Sequence, residues 1–270
     1  ARVTGMPEPH VLQTLSQALA RRHRLALAEA ELRNGTQQLS RYRFRHALYR
    51  DYLYESLSPA ERQLLHRKVG LALEVLYADR TGEIAAELTH HFQGDVARER
   101  FYARLAGERA AAQYANEDAL HFLGRALALT PPEDLTDRYR LLLARERIHD
   151  RQGMRDDQRR DLEILERVAD RLDDPAAKGT VLARWAQYHF FTGAMQEAAQ
   201  TARQAAGLLD PSRHPELMAE ALRWWGIALG HSGESRASEE RLRQALALAR
   251  VAGSRWLEAE LLRHLSWTRS

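Results

Sequence analysis

The residues best suited to metal binding or acid–base chemistry in this chain are its 12 histidines, and His90 and His91 are the densest pair. Adjacent residues of a helix point about 100° apart, so this pair is not arranged to hold one ion, and no neighbouring carboxylate completes a ligand set. No Ser/His/Asp order and no pair of carboxylates can be placed on a common face. We therefore expect packing or surface roles for the histidines, no metal, no cofactor and no catalytic residue; the chain is not predicted to be an enzyme.

A second group of chemically suitable residues is basic and lies near the start of the chain. Residues 1–50 contain nine arginines and three acidic residues, although the net charge of the whole chain is only +3. If these arginines form a basic stripe on a β-hairpin and the helix before it, the stripe could contact the phosphate backbone of DNA. The alternative is a solvated strand face whose other side packs on the helix, and we favour it over DNA binding. The candidate nucleic-acid residues are Arg21, Arg22, Arg24, Arg41, Arg43 and Arg45.

The composition indicates an all-α chain. Helix formers dominate its 270 residues, cysteine is absent, and the longest uncharged apolar runs fall far short of the roughly 20 residues that span a membrane. We therefore expect a cytoplasmic protein without membrane contact. Because the sequence begins at Ala1 without an initiator Met, we also expect it to be part of a longer chain. Only two of the 40 basic residues are lysines, which weakens any argument from a single arginine.

The N-terminal part is predicted to contain a helix, a β-hairpin and a second helix. Apolar residues recur at helical spacing from Pro9 to the basic run at residues 21–24. Residues 25–46 then alternate, with Asn34-Gly35 as a hairpin turn. A helix followed by a two-stranded wing is typical of the second half of a winged-helix domain, which we place at residues 1–57.

A helical hairpin is predicted at residues 58–93. Ser58, Pro59 and Glu61 form a helix-start signal, because the Ser hydroxyl accepts from orphan amides while Glu reaches back to the N-cap. A break at Thr81-Gly82 separates this helix from a shorter partner. The buried stripe of the first helix is expected at Leu65, Val69, Ala72, Leu73 and Leu76.

Beyond residue 94 the sequence repeats with a period of 40 residues. Gly153, Gly193 and Gly233 each lie between two amphipathic helical stretches. The same period links a leucine position and a small-residue position: Leu182, Leu222 and Leu262; Ala186, Gly226 and Ser266. We expect each glycine to take the left-handed conformation that ends a helix, and each unit to be a helical pair that stacks on its neighbours. Residues 256–268 would begin a truncated last repeat.

Part of this pattern resembles the tetratricopeptide repeat. Gly107, Ala119, Ala126 and Pro131 supply its small residue, two alanines and closing proline, whereas Gln158 and Ser238 replace an expected Ala. HEAT and armadillo repeats share the longer period but lack the glycine turn. In tetratricopeptide arrays the first helices line a groove, and their inward offsets transfer here to Arg104, Arg147, Arg151, Arg184, Gln187, Arg223 and Arg263, with Phe190, Trp224 and Trp267 beside them. Such a groove suits an acidic peptide, a C-terminal carboxylate or a phosphorylated ligand, although a charged solvent face explains about half of these residues equally well.

A broader resemblance is carried by the order of four motifs: YRFRHAL at 42–48, YESLSPAER at 54–62, LTHHF at 88–92 and AGERA at 106–110. Their order is similar to that of the region after the NTPase module in bacterial STAND-type signalling ATPases, which include large LuxR-type regulators and ATPase-coupled adenylate cyclases. The resemblance implies a winged helix joined to a tetratricopeptide array that senses an inducer or partner protein. The phosphate-binding stretch GxxxxGK[ST] is absent, so the ATPase itself is not in this sequence.

Together these observations predict a right-handed all-α solenoid of tetratricopeptide-like repeats at residues 94–270, preceded by the partial winged helix and the connecting hairpin. The expected function is a non-catalytic sensor arm that binds a protein or peptide and regulates the NTPase module of the same chain. Two alternatives stay open: a DNA-binding regulator acting through the winged helix, and a structural solenoid that only promotes self-association.

Overall fold

The computed structural model describes residues 1–29, 32–34, 37–39 and 41–267, except for the side chains of the two central strands and of Trp267. The chain forms two compact units, residues 1–129 and 130–270. Both consist mainly of α-helices, as the composition predicts. Among the described residues, no helix combines the length and apolar character that a membrane crossing requires. The three-part domain organisation expected from the sequence stays a prediction.

The first unit contains a small β-region followed by helices. Its elements are α1 (Glu8–Gln13), which continues as a π-helix (Thr14–Arg22), β1 (Ala26–Ala28), β2 (Leu32–Asn34), β3 (Gln37–Leu39), β4 (Tyr42–Phe44), α2 (Ala47–Glu55), α3 (Pro59–Tyr77), a 3-10 helix (Ala78–Ile84), α4 (Ala85–His91), α5 (Val96–Ala112) and α6 (Asn116–Leu129).

The strands pair in the order expected for a hairpin. β1 is antiparallel to β4, with Ala26 opposite Phe44, and β2 is antiparallel to β3, with Leu32 opposite Leu39. Asn34 of the predicted turn ends β2, while Gly35 lies outside the described residues. The apolar side of β4 was expected to pack on the preceding helix, but Phe44 is 37% exposed, so this side is only partly covered.

Helix α3 begins with the predicted capping box but does not bury the predicted stripe. The Glu61 amide donates to Ser58 Oγ at 3.3 Å, and the Ser58 amide donates to Glu61 Oε2 at 2.8 Å. Leu65 is 36% exposed, and the other four predicted stripe residues are only half-buried. The expectation of a buried stripe was wrong because α4 and the 3-10 helix cover only part of α3. At Gly70, α3 lies close to Phe92, the residue after α4, because a Cβ there would meet the Phe92 ring at 2.8 Å.

Helices α5 and α6 form the first tetratricopeptide-like pair. Ala119 and Ala126 are fully buried, and a Cβ on Gly107 would lie 2.7 Å from the Leu123 side chain. The glycine therefore lets the two backbones approach closely, as the repeat pattern predicts. The buried Glu99 is compensated by Arg125, whose guanidinium lies 2.6 Å from it.

The second unit consists of three helical pairs and a further helix. Its helices are α7 (Leu135–Gln152), α8 (Arg155–Leu172), α9 (Pro175–Phe191), α10 (Met195–Leu208), α11 (Pro215–His231), α12 (Ser235–Val251) and α13 (Arg255–Trp267). Each pair contacts the next, and α9, α11 and α13 also contact one another in succession. The shared core contains buried leucines, alanines and Trp224.

The three equally spaced glycines make the same turn. Gly153, Gly193 and Gly233 have φ of 69°, 85° and 87°, so the predicted left-handed conformation is confirmed at each. In each turn, the amide of the residue after the glycine donates to the carbonyl of the residue four positions before the glycine. For example, the Ala194 amide donates to the His189 carbonyl at 2.8 Å. One local chemical requirement therefore recurs at the three pairs of the second unit.

The two departures from the alanine pattern are buried and hydrogen-bonded. Gln158 Nε2 donates to Glu146 Oε1 at 2.7 Å, and Ser238 Oγ donates to the Gly226 carbonyl at 2.7 Å. Both side chains are almost fully inaccessible to solvent. Because each donor is satisfied within its own helical pair, the polar substitutions are accommodated in the core.

Candidate functional site

A cavity of about 740 Å³ lies along the first helices of the pairs in the second unit. Its walls come from α7, α9, α11 and α13, which are the helices that the repeat pattern places on the groove side. This volume falls within the usual range of ligand pockets. Five arginines and three carboxylates line it, together with a set of aromatic residues.

Eight of the ten predicted groove residues meet in this cavity. They are Arg147, Arg151, Arg184, Gln187, Phe190, Arg223, Trp224 and Arg263. Arg104 does not belong with them: it lies on α5 of the first unit, where its guanidinium contacts Glu108 at 2.9 Å and lies over Phe101. The side chain of Trp267, at the end of α13, lies outside the described residues. Ligand binding by any of these residues stays a prediction.

Sequence reasoning missed the other half of the lining. These residues are Asp150, Phe191, Glu220, Ile227, His231, Trp256, Glu260 and His264. The 40-residue period is a signal that could have found several of them. Glu260 lies 40 residues after Glu220, and His264 lies 40 residues after Trp224. His231 lies 40 residues after Phe191 and 80 after Arg151.

Arg184 is held by a buried ion-pair network at one end of the cavity. Its Nε and Nη2 donate to Glu146 at 2.8 and 2.9 Å, and Nη2 also contacts Asp150 at 3.1 Å. Burial alone would lower the pKa of Arg184, but the charges and hydrogen bonds of Glu146 and Asp150 outweigh it and raise the pKa. This arginine is therefore fully compensated inside the protein.

A second layer of polar residues holds that network in place. Gln187 donates to Asp150 at 2.7 Å, and Arg155 contacts the other oxygen of Asp150 at 2.7 Å. Behind them, Asp161 accepts a hydrogen bond from Arg145 Nε at 2.9 Å and lies 3.1 Å from His149 Nδ1. Burial raises the pKa of Asp161, but these two partners lower it by more, so it lies below its ordinary value. The α7–α9 end of the cavity is thus fixed by interlocking charge pairs.

Arg223, near the other end of the cavity, has the opposite environment. Its side chain is 6% exposed, and its buried Nε has no hydrogen-bond acceptor among the described residues. Burial lowers the pKa of Arg223, against the opposing charges of Glu220 and Glu260. A buried cation without a direct anionic partner carries a desolvation cost.

Glu260 acts on Arg223 through its charge, while its hydrogen bond is with Arg263. Arg263 Nη2 donates to it at 2.6 Å, and this hydrogen bond lowers the pKa of Glu260. His264 lies beside them, where burial and then the charges of Arg263 and Arg223 lower its pKa to about 4. His264 is therefore neutral near pH 7 and adds no charge to the cavity.

Aromatic rings form an apolar wall beside Arg223. Phe190 lies 5.6 Å from Trp224 and 5.0 Å from His231 between ring centroids, and Phe191 lies 5.9 Å from Trp224. The guanidinium carbon of Arg223 lies 4.3 Å over Trp224 and 5.6 Å over Trp256. The cavity therefore places a buried cation next to a continuous aromatic surface.

The basic stripe of the first unit is partly neutralised. Arg41 and Arg43 both form ion pairs with Glu29, at 3.2 and 2.7 Å. Arg21, Arg22, Arg24 and Arg45 are exposed. Because one carboxylate pairs with two of the three arginines at positions 41, 43 and 45, their attraction for a phosphate backbone is reduced.

The adjacent histidines form a cluster with His66. His66 Nδ1 lies 2.9 Å from His91 Nδ1, and Tyr54 Oη lies 3.0 Å from His66 Nε2. Burial, followed by the charges of His66 and His90, lowers the pKa of His91 to about 4. Glu87 lies 3.9 Å from His91, closer than the sequence suggested, yet no three His, Cys, Asp or Glu residues in the described part of the chain are placed to hold a metal ion.

Comparisons with known proteins support the fold. No protein-family model matches the sequence, and no curated protein matches it. Among solved structures, the chain is similar to a Signal Transduction ATPase with Numerous Domains (STAND) protein with a tetratricopeptide repeat sensor from Pyrococcus horikoshii. The TM-score is 0.52 and the identity 16%, over 81% of this chain and 35% of that protein.

Two further solved structures are similar. The apo form of RapI has a TM-score of 0.61 and 8% identity, over 83% of this chain and 64% of RapI. BtubC from P. vanneervenii has a TM-score of 0.50 and 13% identity, over 74% of this chain and 91% of BtubC. The chain thus spans about a third of the STAND protein and just under two thirds of RapI. At these identities the likeness shows the fold alone. The chain is all-α and built from tetratricopeptide-like helical pairs.

Proposed function

We propose that this chain is a non-catalytic recognition arm that binds a peptide or another acidic ligand in the cavity of its second unit. The observation that carries the proposal is the convergence of four first helices on one cavity with five arginines and an aromatic wall. Guanidinium groups bind carboxylates and phosphates bidentately, and aromatic rings supply apolar contact.

We further propose that the arm regulates the NTPase module of a STAND-type protein. The order of sequence motifs and the similarity to a STAND protein with a tetratricopeptide repeat sensor support this part. In this arrangement, ligand binding in the cavity would bias the module between inactive and active states, since a ligand shifts an equilibrium by its differential affinity for the two states.

The experiment is binding of an immobilised peptide library of varied charge to the purified chain. Arg147 and Arg151 line the cavity and are exposed, so reversing both to Glu changes its charge without removing core packing. The matched control reverses Arg167 and Arg171, exposed residues of α8 that do not line the cavity.

We expect acidic peptides to bind, and the Arg147→Glu/Arg151→Glu variant to lose about tenfold or more in affinity. The Arg167→Glu/Arg171→Glu control should bind as the native chain does. Equal loss in both variants would show that only net charge matters. Absence of binding by acidic peptides and by small acids would remove the proposed function.

A further inference from the structure

Arg223 is the one arginine of the cavity whose environment within the fold is clearly unfavourable to its charge. Arg223 is only 6% exposed, and no described residue accepts a hydrogen bond from its Nε. The four other lining arginines differ from it: Arg184 and Arg263 are ion-paired, and Arg147 and Arg151 are exposed. The Nε–H of this buried guanidinium therefore has no acceptor among the described residues.

Aromatic contacts and the planar shape of the guanidinium bear on how an anion can approach Arg223. The guanidinium carbon of Arg223 lies 4.3 Å from the centroid of the Trp224 ring and 5.6 Å from that of Trp256, so the two indoles occupy part of its surroundings. The N–H groups point outward along the edge of the guanidinium plane. A planar acceptor with two coplanar oxygens, such as a carboxylate, matches this edge.

The shape of the acceptor distinguishes a carboxylate from a phosphate at this edge. Glu220 and Glu260 line the same cavity as the five arginines, and their charges act on Arg223. Both oxygens of a carboxylate can lie in the plane of the guanidinium edge, whereas a tetrahedral phosphate leaves its third oxygen out of that plane.

The apolar wall defines what lies next to the anion. Phe190, Phe191 and Ile227 line the cavity together with Trp224. An apolar or aromatic group attached near the carboxylate would contact these side chains while the carboxylate contacts Arg223. The carboxylate and the apolar group of the ligand would then both be buried in the cavity.

We propose that Arg223 is the anchor of the cavity and that its ligand presents a carboxylate next to an apolar or aromatic group. This proposal rests on the function proposed above and narrows its ligand class. A peptide that ends in an apolar residue presents this chemistry at its C-terminus, and a small aromatic acid presents it as well. Peptide and small-acid probes distinguish the two sources.

The experiment titrates the 270-residue chain with matched acid and amide probes, followed by isothermal calorimetry. The small probes are N-acetyl-phenylalanine, N-acetyl-phenylalaninamide and phenyl phosphate. The peptide probes are Ala-Ala-Ala-Phe with a free and with an amidated C-terminus. Tighter binding of the free peptide than of N-acetyl-phenylalanine identifies a peptide source, and the reverse identifies a small acid.

The variants are Arg223→Met, which removes the donors and keeps the length of the side chain, and Arg223→Lys, which keeps the charge but not the planar edge. The matched control is Arg241→Met. Arg241 lies 4.5 Å over Trp225 in the same kind of stack, but it does not line this cavity. Its loss removes a comparable stack without touching the proposed anchor.

In the native chain and in Arg241→Met, we expect each acid to bind about tenfold to a hundredfold more tightly than its amide. Arg223→Met should abolish this preference, and Arg223→Lys should retain only part of it. Four results would overturn the proposal: equal binding of acid and amide, an acid preference that survives Arg223→Met, tighter binding of phenyl phosphate than of N-acetyl-phenylalanine, or no binding of any probe at about 10 mM.

Failure of this proposal can be told apart from failure of the proposed function. If library peptides bind through Arg147 and Arg151 but no acid preference depends on Arg223, the anchor is wrong and the recognition function stands. If neither a library peptide nor any acid probe binds in the cavity, the recognition function itself is removed.

Discussion

Arg184 and Arg223 are two buried arginines on neighbouring first helices of the same cavity, and their surroundings are opposite. Arg184 lies against Glu146 and Asp150 and has a raised pKa, whereas Arg223 lacks a direct anionic partner and has a lowered pKa. Similar residue type, burial and repeat position therefore do not imply similar roles. The α7–α9 end is stabilised by its own charge pairs, while the α11–α13 end keeps a cation that an external anion can satisfy.

The comparison distinguishes a buried charge that stabilises the fold through its partner from a buried charge that a ligand could neutralise. A buried ion pair costs desolvation but recovers it through its partner, and breaking it leaves a stranded charge. A buried cation without such a partner lowers stability in the free protein and gains most when a ligand binds. Functional sites commonly retain groups of this second kind at the expense of stability.

The largest effect should come from breaking the paired end. Arg184→Met leaves Glu146, which is fully buried, without its cation. We expect the free energy of unfolding to fall by about 3–5 kcal/mol. The measurement is urea unfolding followed by tryptophan fluorescence, which reports on the second unit because all five tryptophans lie at residues 185–267.

The charge argument has a direct control at the same site. Adding Glu146→Gln to Arg184→Met removes the stranded charge, so the double variant should recover part of the lost stability. If the double variant is as unstable as the sum of two independent losses, packing and not charge pairing holds this end of the cavity.

An intermediate effect of opposite sign is expected at the other end. Arg223→Met removes a buried charge that lacks a direct partner, so the free energy of unfolding should rise by about 1–2 kcal/mol despite the loss of the stack on Trp224. The same urea titration measures it. A loss of stability comparable to that of Arg184→Met would erase the contrast between the two ends.

The smallest effect concerns pH and the crowding of cations near Arg223. Burial and then the charges of Arg263 and Arg223 lower the pKa of His264 from 6.5 to about 4. As the pH falls, the unfolded chain binds this proton first, so the contribution of His264 is fully present above about pH 6.5 and is lost between pH 6.5 and 4. With solvent screening of this partly exposed side chain, the loss should be about 1 kcal/mol.

The comparison of native chain and His264→Gln at several pH values isolates this contribution. The native chain should lose more stability than the variant between pH 6.5 and 4. Asp161, at the paired end, has a pKa below its ordinary 3.8 and acts only at lower pH. An identical pH slope for both proteins would show that His264 protonates as easily in the folded chain as in the unfolded one.

Local features of the fold could be predicted from the sequence because short-range chemistry dictates them. The capping box at Ser58 and the left-handed glycines at 153, 193 and 233 need only neighbouring residues, and the structure confirms them. The close approach at Gly226, where a Cβ would meet Leu242 at 2.8 Å, likewise follows from the repeat. The buried stripe expected at Leu65 was wrong, because burial depends on which elements cover a helix and not on its own periodicity.

The candidate site was predictable in position but not in electrostatics. The transfer of inward offsets from tetratricopeptide first helices placed Arg147, Arg184 and Arg223 along one cavity, since the groove sides of stacked pairs face the same way. It also placed Arg104 there, although that residue belongs to the first unit and pairs with Glu108. In the same way, the neutralisation of Arg41 and Arg43 by Glu29 depends on strand pairing that composition does not reveal.

The amino-acid sequence by itself determined the helical pairs, their 40-residue period and the turns between them, because hydrophobic spacing and glycine conformation act over a few residues. Only the tertiary structure decided which arginine is paired and which is not, because ion pairs such as Arg184 with Glu146 join residues 38 positions apart. A charge acts on whatever lies within a few ångströms, whatever its distance along the chain.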